Sequence, residues 1–147
     1  MKKILVLGAS GQIGRALKKD LIEWNEVEFL SRKDLDFQKI ELIETKIKKF
    51  QPDFIINAAA YTNVDGAEDS REEAFQINSF ALDKLSKLAD FYGIVLVHFS
   101  TDYVFDGQKN TPYLETDTPN PLSIYGKSKL EGCLLYTSDA ADETERV

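Results

Sequence analysis

The stretch Lys3 to Gly14, KILVLGASGQIG, constrains this chain more than any other. Ile4, Leu5, Val6 and Leu7 form a short unbroken apolar run, the pattern of a strand buried on both faces of a parallel sheet. Gly8, Gly11 and Gly14 follow. Glycine at the first position permits a tight turn; at the second it lets backbone N–H groups approach a phosphate with no Cβ in the way. At the third it lets the next helix pack closely on the strand. Ile13, Leu17 and Leu21 then recur at helical spacing, so the helix is expected to pack through that face and to turn its positive end to the glycines. Strand, G-x-x-G-x-x-G turn and helix in this order point to dinucleotide binding; the competing reading is a turn that merely needs small residues.

The 147 residues are about one domain's worth of chain. A net charge of −7 with no basic run argues against nucleic acid or an anionic membrane as the partner. One cysteine, Cys133, and one histidine leave no internal disulfide and no His/Cys cluster for a metal. No run approaches the roughly 20 apolar residues of a membrane span, and the expected address is the cytoplasm.

The first helix is expected to end near Trp24-Asn25, and Val27 to Leu30 reads as a second strand closing on Ser31-Arg32-Lys33. In a dinucleotide fold an acidic residue about 20 positions past the glycines receives a ribose 2′-OH, whereas arginine accommodates a 2′-phosphate. Arg32 therefore favours NADP, Asp34 would serve NAD, and a solvated Arg32 is the bland alternative. Leu35-Asp36-Phe37 reads as a brief edge strand. Ile40, Ile43, Ile47 and Phe50 mark a helix closed by Pro52. Phe54-Ile55-Ile56 is a third buried strand, running into Asn57-Ala58-Ala59-Ala60, where small side chains suit either a ligand lying on backbone or close helix packing.

Ser70-x-x-Glu73 has the form of a capping box opening a long helix with Ala74, Ile77, Ala81, Leu85 and Leu88 on one stripe and Gly93 as its stop. Asn78 lies one residue off that stripe, solvated or else buried near a site. Ile94 to Phe99 is the next strand, with His98 expected as a core or strand-face residue, and it delivers Ser100-Thr101-Asp102-Tyr103. A loop of about 20 residues follows, of a length usually functional or disordered. Asn120-Pro121 reads as the cap and first residue of a last helix. On it Tyr125 and Lys129, four apart, share a face.

The order of these parts resembles the extended branch of the short-chain dehydrogenase/reductase superfamily. Within it, NAAAYTNVDGAE (57–68), FSTDYVFDG (99–107) and PLSIYGKSKLEG (121–132) resemble the dTDP-4-dehydrorhamnose reductases. The resemblance implies an α/β fold, a Rossmann-like doubly wound parallel sheet over residues 1–132, truncated after the Tyr-x-x-x-Lys helix. It implies NADPH-dependent reduction of a 4-keto sugar nucleotide, with NAD as the other cofactor open to it. Tyr125 would be the general acid. A phenol ordinarily keeps its proton to about pH 10, and an ammonium at Lys129 favours the phenolate. Lys129 would also hold the nicotinamide ribose, and Thr101, or failing it Ser100, would orient the carbonyl. Gly8, Gly11, Gln12, Ile13 and Gly14 match the pyrophosphate loop, Arg32, Asp36, Ala58, Ala59 and Ala60 the adenosine and ribose contacts, and Tyr103 would face the sugar. A homodimer is open to the full-length protein. The related sugar-nucleotide dehydratases carry Asp-Glu after the threonine, where this chain has Asp102-Tyr103, so reductase is preferred to dehydratase or epimerase. A non-catalytic regulatory subunit, like the one that accompanies methionine adenosyltransferase, is the alternative of another class. From Cys133 onward the sequence departs from the family pattern, and residues 133–147 are expected to be a non-family tail of artefactual origin.

Overall fold

The computed structural model describes residues 2–141 apart from 22, 24 and 25. Among these residues four short strands, β1 (Ile4–Leu7), β2 (Val27–Leu30), β3 (Phe54–Asn57) and β4 (Val95–His98), form one parallel sheet in the order β2-β1-β3-β4. Their register sets Leu7 beside Leu30 and Asn57, and Asn57 beside His98. The carboxyl ends are therefore level, and the segments beginning at Gly8, Ser31, Ala58 and Phe99 all leave from one edge.

Among the described residues six α-helices accompany the sheet: α1 (Gln12–Asp20), α2 (Glu41–Phe50), α3 (Val64–Asp69), α4 (Arg71–Phe75), α5 (Ala81–Tyr92) and α6 (Ile124–Ala141). Leu5, Leu7 and Ile55 of the sheet meet Ile43 and Ile47 of α2 and Leu82 and Leu85 of α5, all essentially inaccessible to water. Each such side chain contributes about 1.5 to 3 kcal/mol through burial. Among the described residues no helix is long and apolar enough to cross a membrane.

Several local expectations are corrected. Leu35-Asp36-Phe37 is not a strand; the chain turns at Ser31, whose carbonyl accepts from the N–H groups of Asp34 and Leu35, and Leu35 and Phe37 drop into the core without a ladder partner. Ser70 makes no side-chain cap; its backbone joins the two helices, closing α3 through Ser70 N–H to Gly66 O and accepting from Ala74 N–H in α4. The long helix is not uniform: Gln76–Phe80, between α4 and α5, is a π turn. Gly93 stops α5 in the left-handed region, as the sequence predicts. At the last helix the cap is Ser123, whose Oγ accepts from Gly126 N–H at 3.0 Å; Asn120 instead anchors the preceding loop, donating to Val104 O and Asp106 Oδ2. Helix α1 closes at Leu21, and the expected end at Trp24-Asn25 falls outside the described residues, as do positions 142–147 of the expected tail. Helix α6 runs on past Cys133, and Tyr136 Oη donates to Leu96 O at 2.8 Å.

Candidate active site

Each glycine of the first turn has its own reason. Gly8 has φ +81°, and a Cβ there would run into the backbone of Ala58 and Ala59. At Gly14 a Cβ would strike Gly8 O and the backbone of Ala9, so α1 sits against the turn only because this residue has no side chain. Gly11 differs: a Cβ would make only marginal contact with the protein, 3.4 Å from Gly8 O. Its bareness leaves room over the start of α1, where Gly11 is the N-cap, no side chain caps the helix, and the first N–H groups point outward. A cradle that a Cβ would fill, at a helix N-terminus, fits a pyrophosphate. Gln12 is exposed there. Ile13 is 41% exposed rather than packed inward, and it lines the cleft leading to Tyr125.

Two adjoining clefts lie along the carboxyl edge. One, of about 210 Å³, runs from Gly8, Ser10 and Gly11 past Ala58, Ala59 and Ala60 to Arg32 and Asp36. Asp34 takes no part: its Oδ2 accepts from both the N–H and the Oγ of Ser31, which holds its carboxyl below the ordinary value. The Arg32 guanidinium faces Glu73 at 3.1 Å and Asp36 at 3.7 Å. The second cleft, about 100 Å³, is bounded by Ile13, the three alanines, Ser100, Tyr125 and Lys129. The sheet register thus brings together the glycines, the alanines and the Tyr-x-x-x-Lys pair.

The hydroxyl residues bordering this second cleft are Thr62, Ser100 and Tyr125. Thr101 stands beside it as the N-cap of the 3-10 turn Asp102–Val104, its Oγ1 accepting from Tyr103 N–H at 3.3 Å. Tyr103, 47% exposed, meets Tyr125 edge to face with ring centroids 5.5 Å apart. Lys129 is 3% exposed; its Nζ lies 2.6 Å from Phe99 O and 3.2 Å from His98 Nε2. Burial lowers the Lys129 amine from its ordinary value.

Two residues contribute more than sequence reasoning gave them. Asn78, in the π turn, accepts from Tyr61 N–H and donates to Tyr61 O and Ser128 Oγ, tying the alanine loop to α6. π turns concentrate at functional sites, and an asparagine among stripe residues was the available signal. His98 contacts Lys129 and Asn57 rather than the core; a lone histidine ending the strand before Ser-Thr carried no signal of this. Helix α6 is seated by absent side chains: a Cβ at Gly126 would strike Tyr103 O, and one at Gly132 would strike Asn78 O. Glu68 Oε1 accepts from Ile124 N–H at its first turn.

Comparison with known proteins agrees with this arrangement. The family model described as RmlD substrate binding domain matches residues 1–141. The chain is 41% identical over 140 residues to the dTDP-4-dehydrorhamnose reductase of Burkholderia thailandensis, covering 95% of this chain and 47% of that protein. It is 39% identical over 139 residues to methionine adenosyltransferase 2 subunit beta of Bos taurus, covering 89% of this chain and 41% of the relative. The crystal structure of the Bacillus anthracis dTDP-4-dehydrorhamnose reductase in complex with NADP superposes with a TM-score of 0.88 at 34% identity, over 93% of this chain and 49% of the other. The chain spans about half the length of the curated relatives it matches. A Rossmann-like sheet, its clefts at the carboxyl edge, and a family match running from the first residue through α6 establish that this chain belongs to the RmlD substrate binding domain family, among the relatives of the dTDP-4-dehydrorhamnose reductases.

Proposed function

We propose that the chain is the cofactor-binding and proton-donating part of an NADPH-dependent reductase that converts dTDP-4-dehydrorhamnose to dTDP-rhamnose, in the cytoplasm, for nucleotide-sugar and cell-surface polysaccharide biosynthesis. The observation that carries this reading is the shared cleft of Tyr125, Lys129, Ser100 and the alanine loop, continuous with a bare helix N-terminus. The NADP complex of the Bacillus anthracis relative supports the cofactor, with NAD as the alternative.

In this reading Gly8, Gly11, Gln12, Ile13 and Gly14 receive the pyrophosphate, Arg32 and Asp36 the adenosine ribose and its 2′-phosphate, and Ala58 to Ala60 the cofactor's flank. The bound dinucleotide supplies hydride to the 4-keto carbon. Tyr125 gives its phenolic proton to the resulting alkoxide, and a cation at Lys129 stabilises the phenolate left behind. Thr101 or Ser100 orients the carbonyl by donating to its oxygen, and Tyr103 faces the sugar. The domain assignment of residues 1–132, followed from 133 by a non-family sequence that continues α6, and a homodimer in the full-length protein belong to the same proposal.

The test joins this chain to the C-terminal half of a reductase relative and follows NADPH oxidation with dTDP-4-dehydrorhamnose. Turnover that depends on Tyr125 is expected. The likeness to methionine adenosyltransferase 2 subunit beta favours a second reading, a dinucleotide-binding subunit without chemistry. NADPH binding with no turnover by the joined protein would select it.

A further inference from the structure

The charges at the far end of the larger cleft do not by themselves suit a phosphate. Arg32 is the one cation among the described residues that bound this cleft, and its guanidinium is flanked by Glu73 at 3.1 Å and Asp36 at 3.7 Å. Glu73 Oε1 also accepts from Gln38 Nε2 at 2.7 Å, which holds that carboxylate in place. One positive and two negative groups therefore face whatever binds beside Arg32. A phosphate monoester brings about −1.5 to −2 more at neutral pH. Preference for it over a plain hydroxyl calls for a second cation on another wall of the cleft.

The glycine turn supplies one. Gly11 N–H donates to Gly8 O at 3.0 Å, a tight turn that sets Ser10 on the wall of the same cleft that Arg32 bounds. Ser10 O accepts from Arg15 Nη1 at 2.9 Å, so a side chain from the first turn of α1 returns to that wall. Among the described residues no carboxylate lies within ion-pair distance of Arg15. A guanidinium is always charged and carries five N–H donors. One bond to a carbonyl leaves that charge uncancelled and most of those donors open, the reverse of the state of Arg32.

We propose that Arg15 is a second specificity-determining residue of this cleft: steered by Ser10 O, its guanidinium meets the 2′-phosphate of a bound dinucleotide from the glycine side, while Arg32 meets it from the far rim. This role rests on the dinucleotide reading given above and adds a residue that makes the cleft selective. Discrimination between NADPH and NADH is then divided between two cations, one restrained by acids and one not.

The test is equilibrium binding by the 147-residue chain, without substrate or turnover. NADPH and NADH are titrated against the parent, Arg15→Ala and Arg15→Gln, the last of which removes the charge and keeps an N–H donor. Adenosine 2′,5′-bisphosphate and adenosine 5′-phosphate, which differ only by the 2′-phosphate, are titrated beside them. Both variants should lose about tenfold in affinity for NADPH and the bisphosphate and stay within about twofold of the parent for NADH and the monophosphate, tenfold being the low end for a charge-assisted hydrogen bond because Arg15 is exposed. Equal losses for all four ligands would mean that Arg15 only holds the turn, and an unchanged affinity for NADPH would place it outside the site. Either result overturns the role of Arg15 and leaves the dinucleotide reading standing. A parent that binds neither dinucleotide would overturn both.

Discussion

The carboxylate of Glu73, 41 residues further along the chain, lies 3.1 Å from the Arg32 guanidinium and holds it at the rim of the larger cleft. Asp36 is 3.7 Å away on the other side, so the cation that would meet a 2′-phosphate is already shared between two acids. Both partners remain partly exposed, and such a pair adds at most about 1 kcal/mol to stability. Arg32→Ala should weaken NADPH binding roughly tenfold to a hundredfold while changing NADH little, since a hydrogen bond to a charged group is worth about 1.5 to 3 kcal/mol. Glu73→Gln should shift preference the other way, toward NADPH, with the melting temperature nearly unchanged. Titrating both cofactors against both variants checks this; equal losses for both cofactors in Arg32→Ala would remove it from the 2′ position.

The three glycines should separate under substitution. Gly8→Ala and Gly14→Ala place a methyl against backbone, and a loss of several kcal/mol, on the order of the larger single-substitution effects, is expected in urea unfolding. Gly11→Ala meets almost nothing and should stay within about 1 kcal/mol of the parent, yet lose dinucleotide binding. A Gly11→Ala protein that binds NADPH normally would move the pyrophosphate elsewhere.

Tyr125→Phe removes one hydroxyl and preserves the ring that Tyr103 meets edge to face. In the protein joined to a C-terminal half, kcat should fall by roughly a hundredfold or more with cofactor affinity retained, general-acid catalysis being worth about that much. Lys129→Ala should damage both kcat and affinity. Steady-state kinetics beside a binding titration distinguishes the two.

Stability should depend on His98 between pH 6.5 and 4. Its folded value of about 4 lies below the ordinary 6.5, so as pH falls the unfolded chain takes up this proton first. The contribution is complete above about pH 6.5, is lost progressively as pH falls, and bottoms out near pH 4, amounting to roughly 3 kcal/mol over the whole interval. About 2 kcal/mol of it should be gone at pH 5. Urea midpoints at pH 7 and pH 5 measure this, and His98→Gln should flatten the profile across that interval.

Much of the site is legible in the sequence because it is built from strand ends. Short apolar runs give β1, β3 and β4, and parallel register makes whatever follows each of them neighbours, so glycines, alanines and Ser-Thr converge without further information. What escapes depends on partners distant in sequence. Leu35 and Phe37 alternate like a strand because both are buried, but burial alone does not supply a ladder. Ser70 and Asn120 have the right chemistry for caps, but Ser70 Oγ caps nothing and the Asn120 amide is engaged by Asp106. His98 reads as ordinary until Lys129, 31 residues later, arrives beside it.

The seating of α6 limits how this fold can be altered. Gly126 rests on Tyr103 O and Gly132 on Asn78 O, so the helix is keyed at two levels by missing side chains. Rotation or sliding of α6 would carry other residues, all with a Cβ, into those two notches. Tyr125 is consequently aimed by the scaffold and not by its own neighbours, and no conservative exchange on the exposed face of α6 will re-aim it. Any change in what the cleft beside Tyr125 accepts, whether reached by selection or by design, has to come from the segments facing Tyr125, because the helix that bears it has one setting.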